Sequence, residues 1–118
     1  MVDHFAELTP ATGQITFWIQ DIVVARTTRA ICLSETVGDR LLPPIMYFPI
    51  EDLNGKLLKA SQTTTTCPLK GVAHYWSIKL NGELMEDLIW HYPNPSKEVE
   101  AIHGFAACIP GVINMECD

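Results

Sequence analysis

The chain has 118 residues, 14 of them acidic and 8 basic, so its formal net charge at neutral pH is −6. Nucleic-acid binding draws much of its affinity from cationic side chains on phosphates, and these few bases form no basic stripe. The composition therefore argues against a nucleic-acid partner. It also excludes a membrane-spanning helix, which needs roughly twenty consecutive apolar residues. Acids near the N-terminus, where a secretion signal carries bases, predict a cytoplasmic chain.

The four cysteines and four histidines are dispersed, with no Cys-x-x-Cys or His-x-x-x-His spacing. Zinc sites that are visible in a sequence usually contain at least one such local pair. The sequence therefore predicts no metal site and no cofactor. We expect the thiols to be reduced and mostly buried, because free cysteine behaves as a small hydrophobic side chain.

In the first half of the chain the predicted elements are short strands. Residues 1–14 are predicted to form a loose N-terminal arm, since Thr9-Pro10 and Thr12-Gly13 interrupt regular structure. The remaining residues, 15–118, are predicted to be a single β domain. Runs of β-branched and aromatic residues predict its first strands, over residues 15–19, 22–25, 30–33 and 45–48. Residues 35–44 are predicted to be a loop because they contain Gly38 and a Pro-Pro pair.

The second half contains the strongest hairpin signal. Asn81-Gly82 supplies the two positive φ angles of a type I′ turn, so residues 72–80 and 83–92 are predicted to pair around it, with Trp90 near Val72 and Ala73. A short helix is predicted after Asn94, with Gly104 just past its end. Extended structure is predicted over residues 57–66, 105–108 and 112–116. This pattern predicts a mainly β fold, a compact twisted antiparallel barrel or sandwich with one short helix.

Several blocks of the sequence are similar to a known family. These blocks are Tyr47-Phe48-Pro49, Cys67-Pro68 with Lys70-Gly71, Tyr75-Trp76, and Trp90 with Tyr92-Pro93. They resemble the family called domain of unknown function 427, which also carries a nucleotidyltransferase-like label, and the resemblance covers about residues 15–116. It implies a twisted β fold of the kind seen in methionine-R-sulfoxide reductases and translationally controlled tumour protein. It also implies a small cytoplasmic protein with no settled activity.

The central motif predicts a ligand pocket around Lys70. A lysine beside a glycine lets an ammonium and backbone N–H groups meet on one oxyanion. The alternative is that Gly71 is only a turn residue and Lys70 is solvated. Aromatic side chains either stack on a ligand or fill the core. Tyr75 and Tyr92 are predicted to face the pocket and Trp76 and Trp90 to lean toward the core, although Trp90, with Tyr47, is kept as a candidate lining residue.

Three further residues carry functional hypotheses. Arg29 and Glu35 flank the third predicted strand, and a structural ion pair between them is favoured over a guanidinium presented to a carboxylate or phosphate. Cys67 would be a nucleophile if Lys70 or Arg29 lowered its pKa, although buried structural thiols are commoner.

The nucleotidyltransferase label is not supported by the acids, because Glu51 and Asp52 are adjacent and would point to opposite faces of a strand.

The sequence therefore predicts a β protein that binds a small polar or anionic metabolite. The predicted ligand-binding residues are Arg29, Glu35, Lys70, Gly71, Tyr75, Trp90 and Tyr92. The alternatives are an enzyme, either a nucleotidyl or phosphoryl transferase or a thiol enzyme acting through Cys67, and a structural homodimer whose interface uses exposed aromatic side chains.

Overall fold

A computed structural model describes residues 3–118 of the chain, and most of these residues lie in β-strands. The strands are β1 His4–Pro10, β2 Ile15–Ile19, β3 Ile22–Thr27, β4 Ile31–Val37, β5 Arg40–Leu41, β6 Ile45–Pro49, β7 Leu58–Cys67, β8 Gly71–Leu80, β9 Glu83–His91, β10 Phe105–Cys108 and β11 Asn114–Cys117. The helices found in these residues are 3-10 helices over Ile50–Asp52, Gly55–Leu57 and Lys97–Ile102. Among residues 3–118 we find no helix that could span a lipid bilayer.

The strands form two antiparallel sheets. The larger sheet has the order β1-β4-β6-β10-β9-β8-β7, with β5 paired to β4, and the smaller sheet has the order β11-β2-β3. Within residues 3–118 no ladder joins the outer strands β1 and β7, so the larger sheet is not a closed barrel. The predicted mainly β fold is confirmed, and of the two predicted architectures the sandwich fits.

The larger sheet carries one hydrophobic cluster on each face. Phe48, Ile89 and Ala106 belong to the cluster that packs against Phe17 of the smaller sheet. The residues next to them in sequence point the other way, because successive side chains of a strand alternate between faces. Ala107, the neighbour of Ala106, thus belongs to a second cluster. This second face contains the polar site described below.

The N-terminal segment is a strand, and the prediction of a loose arm is wrong for His4–Pro10. This strand pairs with β4 along its whole length. Its side chains alternate, with Ala6 and Leu8 half-buried and Glu7 between them exposed. Pro10 is compatible with the strand because proline is tolerated where a strand borders a sheet and ends. Residues 1 and 2 of the predicted arm lie outside the described residues.

The predicted loop over residues 35–44 is also wrong in its first part. Strand β4 continues to Val37, and Gly38, with a φ of 65°, turns the chain into β5. The glycine therefore marks a hairpin turn, which glycine favours because it adopts positive φ without steric cost. As a result Glu35 lies on a strand, on the same face as Leu33.

The Asn81-Gly82 turn is confirmed, but the pairing beyond it is shifted. Both residues have positive φ, 51° and 78°. Ile78 pairs with Met85, and Trp76 pairs with Ile89. Two residues along β8 therefore correspond to four residues along β9, so β9 contains extra residues at this point. The irregularity contains Asp87, whose φ is 58°.

This bulge is held by hydrogen bonds. The backbone N–H of Asp87 donates to Ser77 Oγ at 3.0 Å, and its carboxylate accepts from Ser61 Oγ at 2.5 Å. The shift places Trp90 directly opposite Tyr75 rather than near Val72 and Ala73. Bulges bend a strand and re-aim its side chains, and here the bulge puts two large rings side by side.

The predicted helix is a 3-10 segment that begins after Ser96 rather than at Asn94. Val99, with a non-helical φ of −120°, interrupts it, and Val99 and Ile102 are fully buried. The segment is too short for an α-helix to be stable without such burial. Ser96 also holds the β7–β8 turn, since its hydroxyl donates to Leu69 O at 2.7 Å and its N–H to Lys70 O at 3.1 Å.

Candidate functional site

A pocket of about 440 Å³ lies on the face of the larger sheet that bears the second hydrophobic cluster. Its apolar lining residues are Leu33, Leu42, Pro43, Ile45, Ile109 and Pro110. Its polar and aromatic lining residues are Glu35, Tyr47, Lys70, Tyr75, Trp90 and Tyr92. The pocket is thus mostly apolar, with one acid–base pair and four rings, a mixture that is typical of small-molecule sites.

Glu35 holds two partners at the polar end of the pocket. Lys70 Nζ donates a hydrogen bond to Oε1, and His4 Nε2 lies 2.5 Å from Oε2. The side chains of Glu35 and Lys70 are only 13% and 10% exposed. Burial raises the pKa of Glu35, but the hydrogen bonds from Lys70 and His4, together with electrostatic attraction, outweigh it, so the pKa lies below its ordinary value. Glu35 is therefore a carboxylate at neutral pH.

The position of Lys70 follows from the β7–β8 turn. Its backbone carbonyl accepts from Ser96, and its Nζ lies 5.9 Å from the centre of the Tyr92 ring. This distance is within reach of a cation–π contact. Because Glu35 also neutralises the ammonium, Lys70 brings no unpaired charge to the pocket.

The aromatic wall of the pocket is built around Trp90. Its ring centre lies 6.5 Å from that of Tyr75 and 6.4 Å from that of Tyr47, and the Tyr47 ring meets it edge-on at 86°. The indole N–H donates to Tyr47 Oη at 3.1 Å, and Tyr75 Oη is 2.9 Å from Thr65 Oγ1. These hydrogen bonds tie Trp90 and Tyr75 to neighbouring side chains.

The buried phenols stay protonated at neutral pH. Burial raises the pKa of Tyr47 to about 12, which the hydrogen bond from Trp90 opposes and the nearby Glu35 carboxylate reinforces. Burial also raises the pKa of Tyr92, with Tyr47 and Cys67 adding to the effect. Both hydroxyl groups are therefore neutral hydrogen-bonding groups.

The sequence model of the family described as Domain of unknown function (DUF427) matches residues 7–118. The chain belongs to this family. The nucleotidyltransferase-like label is the name of the family model and describes no observed activity. No curated protein matches the chain.

In this DUF427 protein, five of the seven predicted ligand-binding residues line the pocket together. They are Glu35, Lys70, Tyr75, Trp90 and Tyr92. Gly71 lies beside the pocket at the start of β8, where its φ is 115° and a Cβ would lie 3.1 Å from Asn94 O. Gly71 thus has the geometry of a turn glycine, but Lys70 is buried and paired with Glu35 rather than solvated, so the alternative interpretation of this pair holds for the glycine alone.

Arg29 lies outside the pocket lining, and the predicted Arg29–Glu35 ion pair is wrong. The guanidinium is 3.3 Å from Asp52 and 3.4 Å from Glu51, and its side chain is 57% exposed. The physical reason is the length of β4. Glu35 lies four residues into β4 while Arg29 precedes it, and at about 3.3 Å per extended residue the two positions lie up to roughly 20 Å apart, so each side chain meets different partners.

Cys67 lies at the end of β7 and is half-buried. Its sulfur, a nitrogen of His4 and an oxygen of Glu35 all lie within 4.8 Å of one another. Cys67 is not among the lining residues of the pocket. Its thiol therefore belongs to a cluster beside the pocket, and its role as a nucleophile remains a prediction.

Sequence reasoning missed His4 and the apolar walls of the pocket. The signal for His4 was the alternation of Ala6 and Leu8 with the polar Glu7 and Thr9, which indicates a strand with one buried face. The walls formed by Leu42 and Ile109 had no such signal, because they come from connections that only the fold brings together.

Proposed function

We propose that this DUF427 protein binds a small organic metabolite with a flat ring and a polar edge. The observation that carries the proposal is that the Lys70–Glu35 pair and the rings of Tyr75, Trp90 and Tyr92 line one pocket. The pocket volume of about 440 Å³ falls within the range of small-molecule sites, about 300–1,000 Å³.

The walls favour a flat ligand. The rings of Tyr75 and Trp90 line the pocket, and Ile45 and Pro110 add apolar contacts. A flat ring gains both apolar burial and offset or edge-to-face contacts from such a wall. Because Trp90 is already anchored on Tyr47, binding would cost little additional ordering of these side chains.

The polar end favours an uncharged hydrogen-bonding group over a multiply charged anion. Glu35 already neutralises Lys70, and separating a buried ion pair is costly. An amide, a hydroxyl or a ring nitrogen would instead add a hydrogen bond to the intact pair. This narrows the sequence-based prediction of a polar or anionic ligand to the polar class.

The alternatives drawn from the sequence have less support. Among the described residues that line the pocket, Glu35 is the one carboxylate, whereas two-metal transferases usually need a pair of acids. Cys67 lies beside the pocket rather than in its lining. The enzyme hypothesis remains a prediction from the sequence. The homodimer and the cytoplasmic location likewise remain predictions from the sequence.

The proposal is tested by calorimetric titration with heteroaromatic amides, nucleobases and inorganic phosphate. Ring compounds should bind saturably and phosphate should not. Leu42→Trp, which fills the pocket, and Tyr75→Ala, which removes one wall, should each weaken binding by about tenfold or more, the effect of losing one good contact.

The matched control is Lys56→Met, at an exposed position in a 3-10 helix away from the pocket lining. It should bind the same compounds as the wild type, whereas Lys70→Met should not. If no ring compound binds, or if Leu42→Trp binds as tightly as the wild type while remaining folded, the pocket is not a ligand site.

A further inference from the structure

The two outer strands of the larger sheet approach each other at one place. Strands β1 and β7 lie at opposite ends of the strand order. Nevertheless His4 at the start of β1 and Cys67 at the end of β7 both reach Glu35, with donor atoms within 4.8 Å of one another. The sheet is therefore curved enough to bring its free edges together at this His4–Glu35–Cys67 cluster.

The three donor atoms form a mixed set. An imidazole nitrogen, a carboxylate oxygen and a sulfur are the ligand types that Zn²⁺ accepts, and thiolate with imidazole disfavours the hard cations Mg²⁺ and Ca²⁺. All three residues are half-buried, so an ion can enter from solvent. We propose that His4, Glu35 and Cys67 bind one Zn²⁺-like ion that joins the two edges of the larger sheet.

The distances are compatible with this after small side-chain rotations. Tetrahedral bonds of about 2.0–2.3 Å place ligand atoms roughly 3.3–3.8 Å apart. The widest present separation, 4.8 Å at most, would close by roughly 1 Å on that basis. His4 Nε2 and Glu35 Oε2, now 2.5 Å apart, would move apart as their hydrogen bond is replaced by two bonds to the ion.

Lys70 would remain an outer partner of the ion. It donates to Oε1 of Glu35, which leaves Oε2 for the metal. Its positive charge opposes a divalent cation, whereas its hydrogen bond orients the Glu35 carboxylate toward the ion. The carboxylate and thiolate together supply two negative charges, and binding releases the thiol proton to solvent. The proton that His4 Nε2 shares with Glu35 also leaves that nitrogen, to Nδ1 in a neutral ring or to solvent from a charged one.

The spacing of the sequence carries no sign of this site, because its ligands come from three strands. It shares only Glu35 with the pocket lining, since neither His4 nor Cys67 lines the pocket. An ion that binds only the folded chain shifts the unfolding equilibrium toward the folded state. The proposal therefore has a readout in stability that is independent of any pocket ligand.

The test uses the full chain, freed of metal with a chelator. Titration with Zn²⁺ should give one ion per chain by calorimetry and a rise in Tm, and Co²⁺ should give a thiolate-to-metal charge-transfer band. Cys67→Ser and His4→Gln should each weaken Zn²⁺ binding by more than about tenfold, the lower bound for losing even an outer partner. Cys67 alkylation should slow when Zn²⁺ is added.

The matched controls are Cys32→Ser, another half-buried thiol, and His74→Gln on the exposed side of β8. Both should retain the Zn²⁺ affinity and the cobalt band. The proposal is overturned if the folded wild type gives neither band nor Tm rise, if folded Cys67→Ser keeps wild-type affinity, or if a control loses it. If Cys67→Ser does not fold, unchanged alkylation of wild-type Cys67 with Zn²⁺ overturns the proposal equally.

Discussion

Replacing Glu35 by glutamine should destabilise this DUF427 protein by about 3 kcal/mol. Glu35 and Lys70 form a pair whose side chains are 13% and 10% exposed, so water screens them little. Removing one partner of a buried pair costs about 3–5 kcal/mol, because the other charge is left uncompensated. Glutamine keeps one oxygen as an acceptor for Lys70, and we therefore expect the lower end of this range.

A surface pair supplies the control. Asp52→Asn removes a partner of Arg29, whose side chain is 57% exposed. Exposed pairs contribute about 0–1 kcal/mol, since solvent screens the charges and the long side chain loses rotamer freedom. The Asp52→Asn variant should thus differ from the wild type by no more than about 1 kcal/mol.

Urea unfolding at neutral pH, with linear extrapolation to water, measures both changes. Adding Lys70→Met to Glu35→Gln should recover part of the loss, because the unpaired buried ammonium is then removed. The reasoning is refuted if Glu35→Gln costs no more than Asp52→Asn. It is also refuted if the double variant is as unstable as the sum of the two single variants, since contacting residues should not be additive.

Three further outcomes are expected. The stability advantage of the wild type over Glu35→Gln should be complete above the ordinary carboxyl pKa of about 4.3 and should shrink as the pH falls below it. The reason is that the pKa of Glu35 is lowered in the folded state. Urea unfolding at a series of pH values measures this difference in stability, and a difference that does not change with pH would contradict the prediction. Gly71→Ala should lower the free energy of unfolding by about 1–3 kcal/mol, because alanine is strained at a φ of 115° and its Cβ would lie 3.1 Å from a backbone oxygen. The matched control is Gly55→Ala, whose Cβ would meet nothing within 4 Å. It should change the free energy of unfolding by less than about 1 kcal/mol. Tyr47 and Tyr92 should remain un-ionised at about pH 10, the ordinary tyrosine value, because burial raises both pKa values. In an ultraviolet titration, all three tyrosines should ionise at about pH 10 when the protein is unfolded in urea, but not when it is folded. Full ionisation of the folded protein near that pH would be inconsistent with the burial of Tyr47 and Tyr92.

Local features of the sequence were predictable because they depend on neighbouring residues. The β-branched and aromatic run over residues 15–19 forms β2, and residues 105–108 form β10, with the predicted bounds. Asn81-Gly82 makes the predicted turn because this pair adopts positive φ at low cost. The mixture of charge and rings around Lys70 pointed to four pocket residues, Lys70, Tyr75, Trp90 and Tyr92, whereas Glu35 was a separate prediction beside the third strand.

The arrangement of these elements was decided by long-range contacts. The sequence near Trp90 does not predict the bulge at Asp87. The bulge is held by hydrogen bonds from the Asp87 N–H to Ser77 and from Ser61 to the Asp87 carboxylate, and these two serines lie on two other strands. The shift it produces sets which ring faces Tyr75.

The partners of Glu35 show the same difference between what local sequence determines and what long-range contacts decide. Composition and alternation alone determined that this protein is built from short antiparallel strands with a largely apolar interior, because these preferences act between near neighbours along the chain. Whether Glu35 meets Arg29, or Lys70 and His4, depends on how far β4 extends and how strongly the sheet curves. Only the tertiary structure decides this, since a buried charge selects its partner by proximity in space.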